Sequence, residues 1–186
     1  SLTIRLADID SNIYEKVFTV SLNDLAESNN APTDLSIGIE LNTDGGNDSY
    51  LYLSDGRPVL GGLTQLTLET TFQIDSVPGG YIPIIDYQEG GIATDFGVAI
   101  NPDGSLQIVI ADGAPQTTSG TYSQLLDGSQ HHVAVSWDNT NGDVQFHIDG
   151  EYAESITGIA TGYSLYNGAA TQLVLGQDPD NSGVFY

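Results

Sequence analysis

Apolar residues recur at every second position in the chain, and the runs break at clusters of Asp, Asn and Gly. Residues 132–137 place Val133, Val135 and Trp137 on one parity, and 144–149 do the same with Val144, Phe146 and Ile148. Between them lies Asp138-Asn139-Thr140-Asn141-Gly142-Asp143, and Asp149-Gly150 follows as a tighter break before 151–156. A period of two is the spacing of a strand with one buried face. Asn, Asp and Gly at the breaks supply the backbone conformations that hairpin turns need.

The same grammar extends over most of the sequence. Residues 64–74 put Leu66, Leu68, Thr70 and Phe72 on one face. Residues 82–87 form another strand candidate, and 96–100 and 106–110 flank the turn Asn101-Pro102-Asp103-Gly104-Ser105. Residues 171–175 close the series. No helix is predicted. Short strands at roughly ten-residue spacing, joined by Gly and Asp turns, point to an antiparallel sandwich or jelly roll. Residues 37–186 contain no internal repeat, which argues against solenoids and propellers.

Residues 1–36 differ in style. Residues 2–6 and 14–22 alternate around Asp8-Ile9-Asp10-Ser11-Asn12 and predict an N-terminal β-hairpin. Two strands do not make a stable body alone. They are either the end of a neighbouring domain or extra strands on the main one. A polar stretch ending in Ala31-Pro32 reads as a linker.

Charge narrows the partners. The 186 residues carry 25 acidic and 3 basic side chains, a formal net charge of -22. Nucleic acid and anionic membranes both need basic patches, so neither is an expected partner. No run of ~18 apolar residues exists, so no membrane insertion is expected. With no cysteine, disulfides, thiolate zinc sites and Cys nucleophiles are excluded. The acids comprise 18 Asp and 7 Glu, and Asp favours turns and calcium loops. This composition predicts an extracellular setting rich in calcium or salt, where cations relieve self-repulsion.

Calcium takes about six to eight oxygens, several of them carboxylate. Asp178 and Asp180 are two apart in Gln177-Asp178-Pro179-Asp180 and can both turn inward, with the Pro179 carbonyl between them. Asn42-Thr43-Asp44-Gly45-Gly46-Asn47-Asp48 offers a second acidic loop through Asp44 and Asp48, and does not fit the EF-hand pattern. His132 and His147 share a parity opposite to the apolar set, so both can project from one face of the hairpin, where two imidazoles can bind a metal. Trp137 lies on the core parity, and Tyr81, Tyr87 and Tyr122 are placed near loops as candidate ligand contacts. Catalytic patterns are missing: no Glu-x-Asp-x-x-Glu run, no Gly-x-Ser-x-Gly and no His-Glu-x-x-His.

Two stretches resemble known families. His131 to Tyr152 resembles the central hairpin of pentraxin and laminin-G-like domains, and Leu173-Val174-Leu175-Gly176-Gln177-Asp178-Pro179-Asp180-Asn181-Ser182-Gly183 resembles the pentraxin segment that follows. Asn47 to Leu53 and 64–74 fit the first two strands of that fold. The resemblance implies a concanavalin-like jelly-roll sandwich of two antiparallel sheets over residues 37–186. It also implies a further strand beyond Tyr186, so the sandwich is expected to lack its last strands within this sequence. It carries a calcium role onto Asp178, Asp180 and the carbonyl of Pro179, aligns Asp95 with the family's other acidic loop, here Glu89 to Asp95, and implies packing and hydrogen bonding, not metal, for the histidine pair. Residues 1–36, with Phe18 to Thr33, resemble the end of a cadherin-like repeat, although Asn29 stands where an Asp would be expected. Together these resemblances imply a non-enzymatic, calcium-binding module of a large bacterial surface adhesin. Such a module is expected to be a monomer, beside other domains of the same polypeptide, facing a glycan or cell-surface ligand. The alternative is a structural spacer, or a split scaffold that positions an inserted ligand-binding domain.

Overall fold

The computed structural model describes residues 2–7, 13–18, 51–74, 80–89, 93–169 and 171–176. The chain divides into two compact units, Ser1–Leu35 and Ser36–Tyr186. In the first, β1 (Leu2–Ala7) and β2 (Ile13–Phe18) pair antiparallel with Leu2 opposite Phe18 and Ala7 opposite Ile13.

The second unit holds two antiparallel sheets. One sheet runs β11-β10-β9-β4, built from β4 (Gln65–Gln73), β9 (Gln130–Asp138), β10 (Asp143–Ile148) and β11 (Glu151–Ile156). The other runs β3-β12-β5-β6-β7-β8. Its strands are β3 (Leu51–Leu53), β5 (Ile82–Glu89), β6 (Ala93–Ile100), β7 (Leu106–Ile110), β8 (Gln116–Thr117) and β12 (Thr171–Leu175). Two short helical turns interrupt the strands, α1 (Arg57–Leu60) and a 3-10 turn at Ser123–Leu126. Both were absent from the sequence reading. No helix among the described residues is long and apolar enough to cross a membrane.

The alternation sets the register. Leu66 stands opposite Trp137, Leu68 opposite Val135 and Thr70 opposite Val133. Val144 stands opposite Trp137, and Phe146 opposite Val135. The inward residues of the two sheets meet in one core, with Trp137, Val135, Phe146, Phe96, Ile100, Leu106 and Ile108 almost wholly buried. Buried aromatic rings of this size contribute heavily to sandwich stability, provided their polar atoms find partners. Trp137 meets that condition by donating its indole N–H to the Ile159 carbonyl at 3.1 Å.

Asp–Gly chemistry closes the hairpins. Asp149 and Gly150 both adopt positive φ, 53° and 84°, as a two-residue primed turn demands. The Asp149 carboxylate then accepts the His132 backbone N–H at 2.9 Å. Glu154 on β11 links the edges of the two sheets. It accepts the N–H groups of Ser119 and Gly120, just past β8, at 2.9 and 3.0 Å.

Candidate functional site

Of the six residues predicted to bind calcium, Asp44, Asp48, Asp178, Pro179 and Asp180 lie outside the described residues. Asp95 is described, and its position follows from a break in a ladder. Tyr87 pairs with Phe96 and Gln88 with Thr94, so Asp95 is the extra residue of a β-bulge. A bulge re-aims the side chain it carries. Asp95 is turned inward and is only 2% exposed. It therefore lies within β6 and not in an acidic loop running from Glu89 to Asp95, where the resemblance had aligned it.

Burying a carboxylate is costly unless donors compensate it. Asp95 accepts the Tyr163 hydroxyl at 2.6 Å and the Tyr166 backbone N–H at 2.7 Å. Desolvation, and then the bond to Asp95, push the Tyr163 phenol well above its ordinary pKa. The phenol therefore stays protonated and remains a donor. A carboxylate has about four lone-pair positions, so two remain on Asp95 for a further donor or a cation. A small cleft of about 50 Å³ opens here, bordered by Glu89, Asp95, Asp112 and Tyr163. Among the described residues, no group of three or more His, Cys, Asp or Glu is placed to hold a metal ion. Any ligand set at Asp95 needs oxygens from elsewhere.

A second concave feature lies on the face of the six-stranded sheet opposite the core. Side chains there alternate with the buried Phe96, Val98 and Ile100. Gly97 and Ala99 form a low floor, and Tyr81, Asp86, Thr94 and Gln107 border a cavity of about 40 Å³. Asp86 is 4% exposed and accepts the Gln88 side-chain amide at 2.9 Å. That bond fixes the amide, and the fully buried Gln88 Oε1 is left without a hydrogen-bond partner. A Cβ on Gly97 would lie 2.7 Å from Thr94 Cγ2 and 3.9 Å from Asp86 Oδ1. The glycine therefore keeps the groove open beside the acid. A carboxylate, a hydroxyl and an amide thus border a small-residue floor.

The remaining predicted residues are mostly structural. Tyr87 is fully buried, and its hydroxyl donates to the Tyr166 carbonyl at 2.5 Å. It is not a ligand contact, as its place near a loop had implied. Tyr122 reaches Glu154 at 3.4 Å. His132 lies 3.8 Å from Glu69, and His147 sits edge-on to the Tyr152 ring. Sequence reasoning missed Asp86 and Gln88. Their only signal was polar residues inside the otherwise apolar run 82–88.

Residues 44–186 match the model of the Laminin_G_3 family, described as the concanavalin A-like lectin/glucanases superfamily. The chain belongs to this family. A 57-residue stretch is 44% identical to the rat sushi, von Willebrand factor type A, EGF and pentraxin domain-containing protein 1, covering 31% of this chain. The matched stretch spans only 2% of that relative's length. Among solved structures, the native heptameric SAP-like pentraxin of Limulus polyphemus aligns with a TM-score of 0.53 at 16% identity, over 68% of this chain and 58% of that one. The CBM40 of the Ruminococcus gnavus IT-sialidase, bound to α2,3-sialyllactose, aligns with a TM-score of 0.55 at 15% identity, over 74% and 78%. At such identities the likeness is one of fold. The Laminin_G_3 sandwich is all-β, as its hydrophobic alternation predicted.

Proposed function

We propose that residues 36–186 form a non-catalytic, calcium-binding module of a large extracellular adhesin, with a glycan as its ligand. The observation that carries this reading is the family match combined with a missing motif. The superfamily description joins lectins and glucanases. The carboxylate run expected of the concanavalin-like glucanases is absent from this sequence, so no acid–nucleophile pair is supplied in the way glycoside cleavage requires. That leaves the lectin half of the description. The neighbour bound to sialyllactose and the polar side chains of Asp86, Thr94 and Gln107 around a shallow groove support a carbohydrate ligand.

Calcium would be held by Asp178, Asp180 and the Pro179 carbonyl, with Asp95 and the Asp44–Asp48 loop as further oxygen donors. Bound there, it would supply positive charge to an acidic body and a site where sugar hydroxyls replace water. This chain's own residues then position the ligand, and Tyr163 keeps Asp95 oriented.

Thermal unfolding in excess calcium and in chelator tests the metal, and glycan binding in both buffers tests the ligand. Calcium is expected to raise the midpoint by several degrees, as specific binding to the folded state must. The double variant Asp178→Asn/Asp180→Asn should lose most of that rise. An unmoved midpoint would defeat the calcium reading, and cleavage of a polysaccharide would defeat the non-catalytic one.

A further inference from the structure

We infer that β4 is a self-association edge, on which a second copy of this chain adds its own β4 antiparallel about a two-fold axis at Glu69. The dimer replaces the monomer expected from sequence, and its formation needs neither metal nor glycan.

A sheet edge offers a row of unpaired N–H and C=O groups to any extended chain, and folds protect such edges with short strands, bulges, Pro or charge. Three of the four edges in the two sheets are protected. β3 has three residues and β8 has two. The β10–β11 ladder shifts register between Phe146 and His147, and β11 carries Glu151 and Glu154. β4 has none of these devices. It runs nine residues without Pro, Lys or Arg, and all nine pair with β9 in one unbroken register. Among the described residues, no strand lies on its other side.

The core is also open along this edge. Leu66 and Leu68 face inward but stay only half-buried, whereas Trp137 and Val135 opposite them on β9 are 1% and 0% exposed. Phe72 is half-buried too. A strand added beside β4 would cover this row.

The residues of β4 select which strand that is. Its outward row is Gln65, Thr67, Glu69, Thr71 and Gln73, the same read from either end. A two-fold axis perpendicular to the sheet pairs such a strand antiparallel with itself and keeps every side chain on its own face. With the axis at Glu69, all nine residues find a partner. Gln65 meets Gln73 of the second copy, Thr67 meets Thr71, and on the core side Leu66 meets Phe72. Thr–Thr and apolar pairs across antiparallel strands are favourable, and like charges directly opposite are not. The unfavourable pair is Glu69 with itself, so this residue limits the strength of the contact. A nine-residue ladder is about 30 Å long. That is small for an interface, so the dimer is weak, with a Kd of roughly tens of micromolar. The net charge of -22 opposes it until salt screens the two copies.

Sedimentation equilibrium of the full chain tests the pairing, from about 1 to about 300 µM in chelator with about 150 mM NaCl. A monomer–dimer equilibrium is expected. Glu69→Gln should tighten it about threefold or more, and Thr67→Glu/Thr71→Glu should weaken it about tenfold or more by setting acid against acid. Thr67→Lys/Thr71→Glu sets opposite charges against each other at the same two places, leaves the net charge at -22, and should restore the dimer. The three substituted positions are exposed, and an unchanged unfolding midpoint at low concentration confirms that each variant folds. A chain that stays monomeric to the highest concentration overturns the inference. So does a dimer whose strength does not follow this order among the variants. Amides of β4 protected from hydrogen exchange in a monomer would show another segment of the same chain on the edge, and would overturn it as well.

Discussion

His131 shows how a residue can hold a turn without serving a site. Its ring sits between two carboxylates contributed by the segments on either side of β9 and β10, Asp127 before β9 and Asp149 at the hairpin tip. The bonds to Asp149 and then Asp127 raise its pKa above the ordinary 6.5. Asp127 is lowered, chiefly by the Ser129 N–H and then by His131. Asp149 is lowered, chiefly by the His132 N–H and then by His131. The signs fix the pH window. A raised imidazole contributes stability that is complete below its unfolded pKa and is lost as pH rises through its folded pKa. A depressed carboxylate contributes above its unfolded pKa and is lost as pH falls through its folded pKa. The cluster is therefore strongest between the unfolded values of 3.8 and 6.5. His131→Gln should lower the unfolding midpoint more at about pH 5 than at about pH 9. Equal losses at the two pH values would mean that the charge on the ring contributes nothing.

At the scale of elements, hairpins decide the architecture, and their glycines are not equivalent. Gly142 has a φ of 69°, and a Cβ there would lie 2.5 Å from the Ile159 N and 2.6 Å from its O. Gly150 has a φ of 84° and open space around it. A left-handed conformation alone costs an alanine about 1–2 kcal/mol, so Gly150→Ala should lose about that. Gly142→Ala adds a backbone clash and should lose roughly 3 kcal/mol or more. Chemical denaturation of the two variants checks the order, and equal losses would show that the Ile159 contact yields freely. The hairpins themselves were legible because a period of two and Asp–Gly turns are local signals, as in Val133–Ile148. Three features were not. β8 is two residues long, and α1 is a single turn, too short for any periodicity to register. The bulge that buries Asp95 depends on Tyr163 and Tyr166, 68 and 71 residues away, so nothing beside Asp95 in the sequence announced it.

At the scale of the whole molecule, charge constrains the choice of ligand as much as shape does. A sandwich with one core and two sheets can serve many ligands, and the family match by itself chooses none. The surplus of acid does discriminate, because it sets which ions and ligands can approach, and it was readable from composition alone. Its cost is self-repulsion across the surface. Among the described residues, Arg57 with Asp55 is an ion pair that salt would weaken, and exposed pairs of this kind contribute only about 0–1 kcal/mol. Screening should thus remove more repulsion than attraction. The unfolding midpoint is expected to rise as NaCl goes from about 10 mM to about 500 mM, with most of the gain reached by about 150 mM, where the Debye length has fallen from about 30 Å to about 8 Å. Each kcal/mol recovered corresponds to about 2–4 °C for a chain of this size. On the proposed calcium reading, calcium at matched ionic strength should add a further rise, since binding to specific oxygens is separate from screening. A midpoint that falls with NaCl would show that the acids are already balanced in the fold.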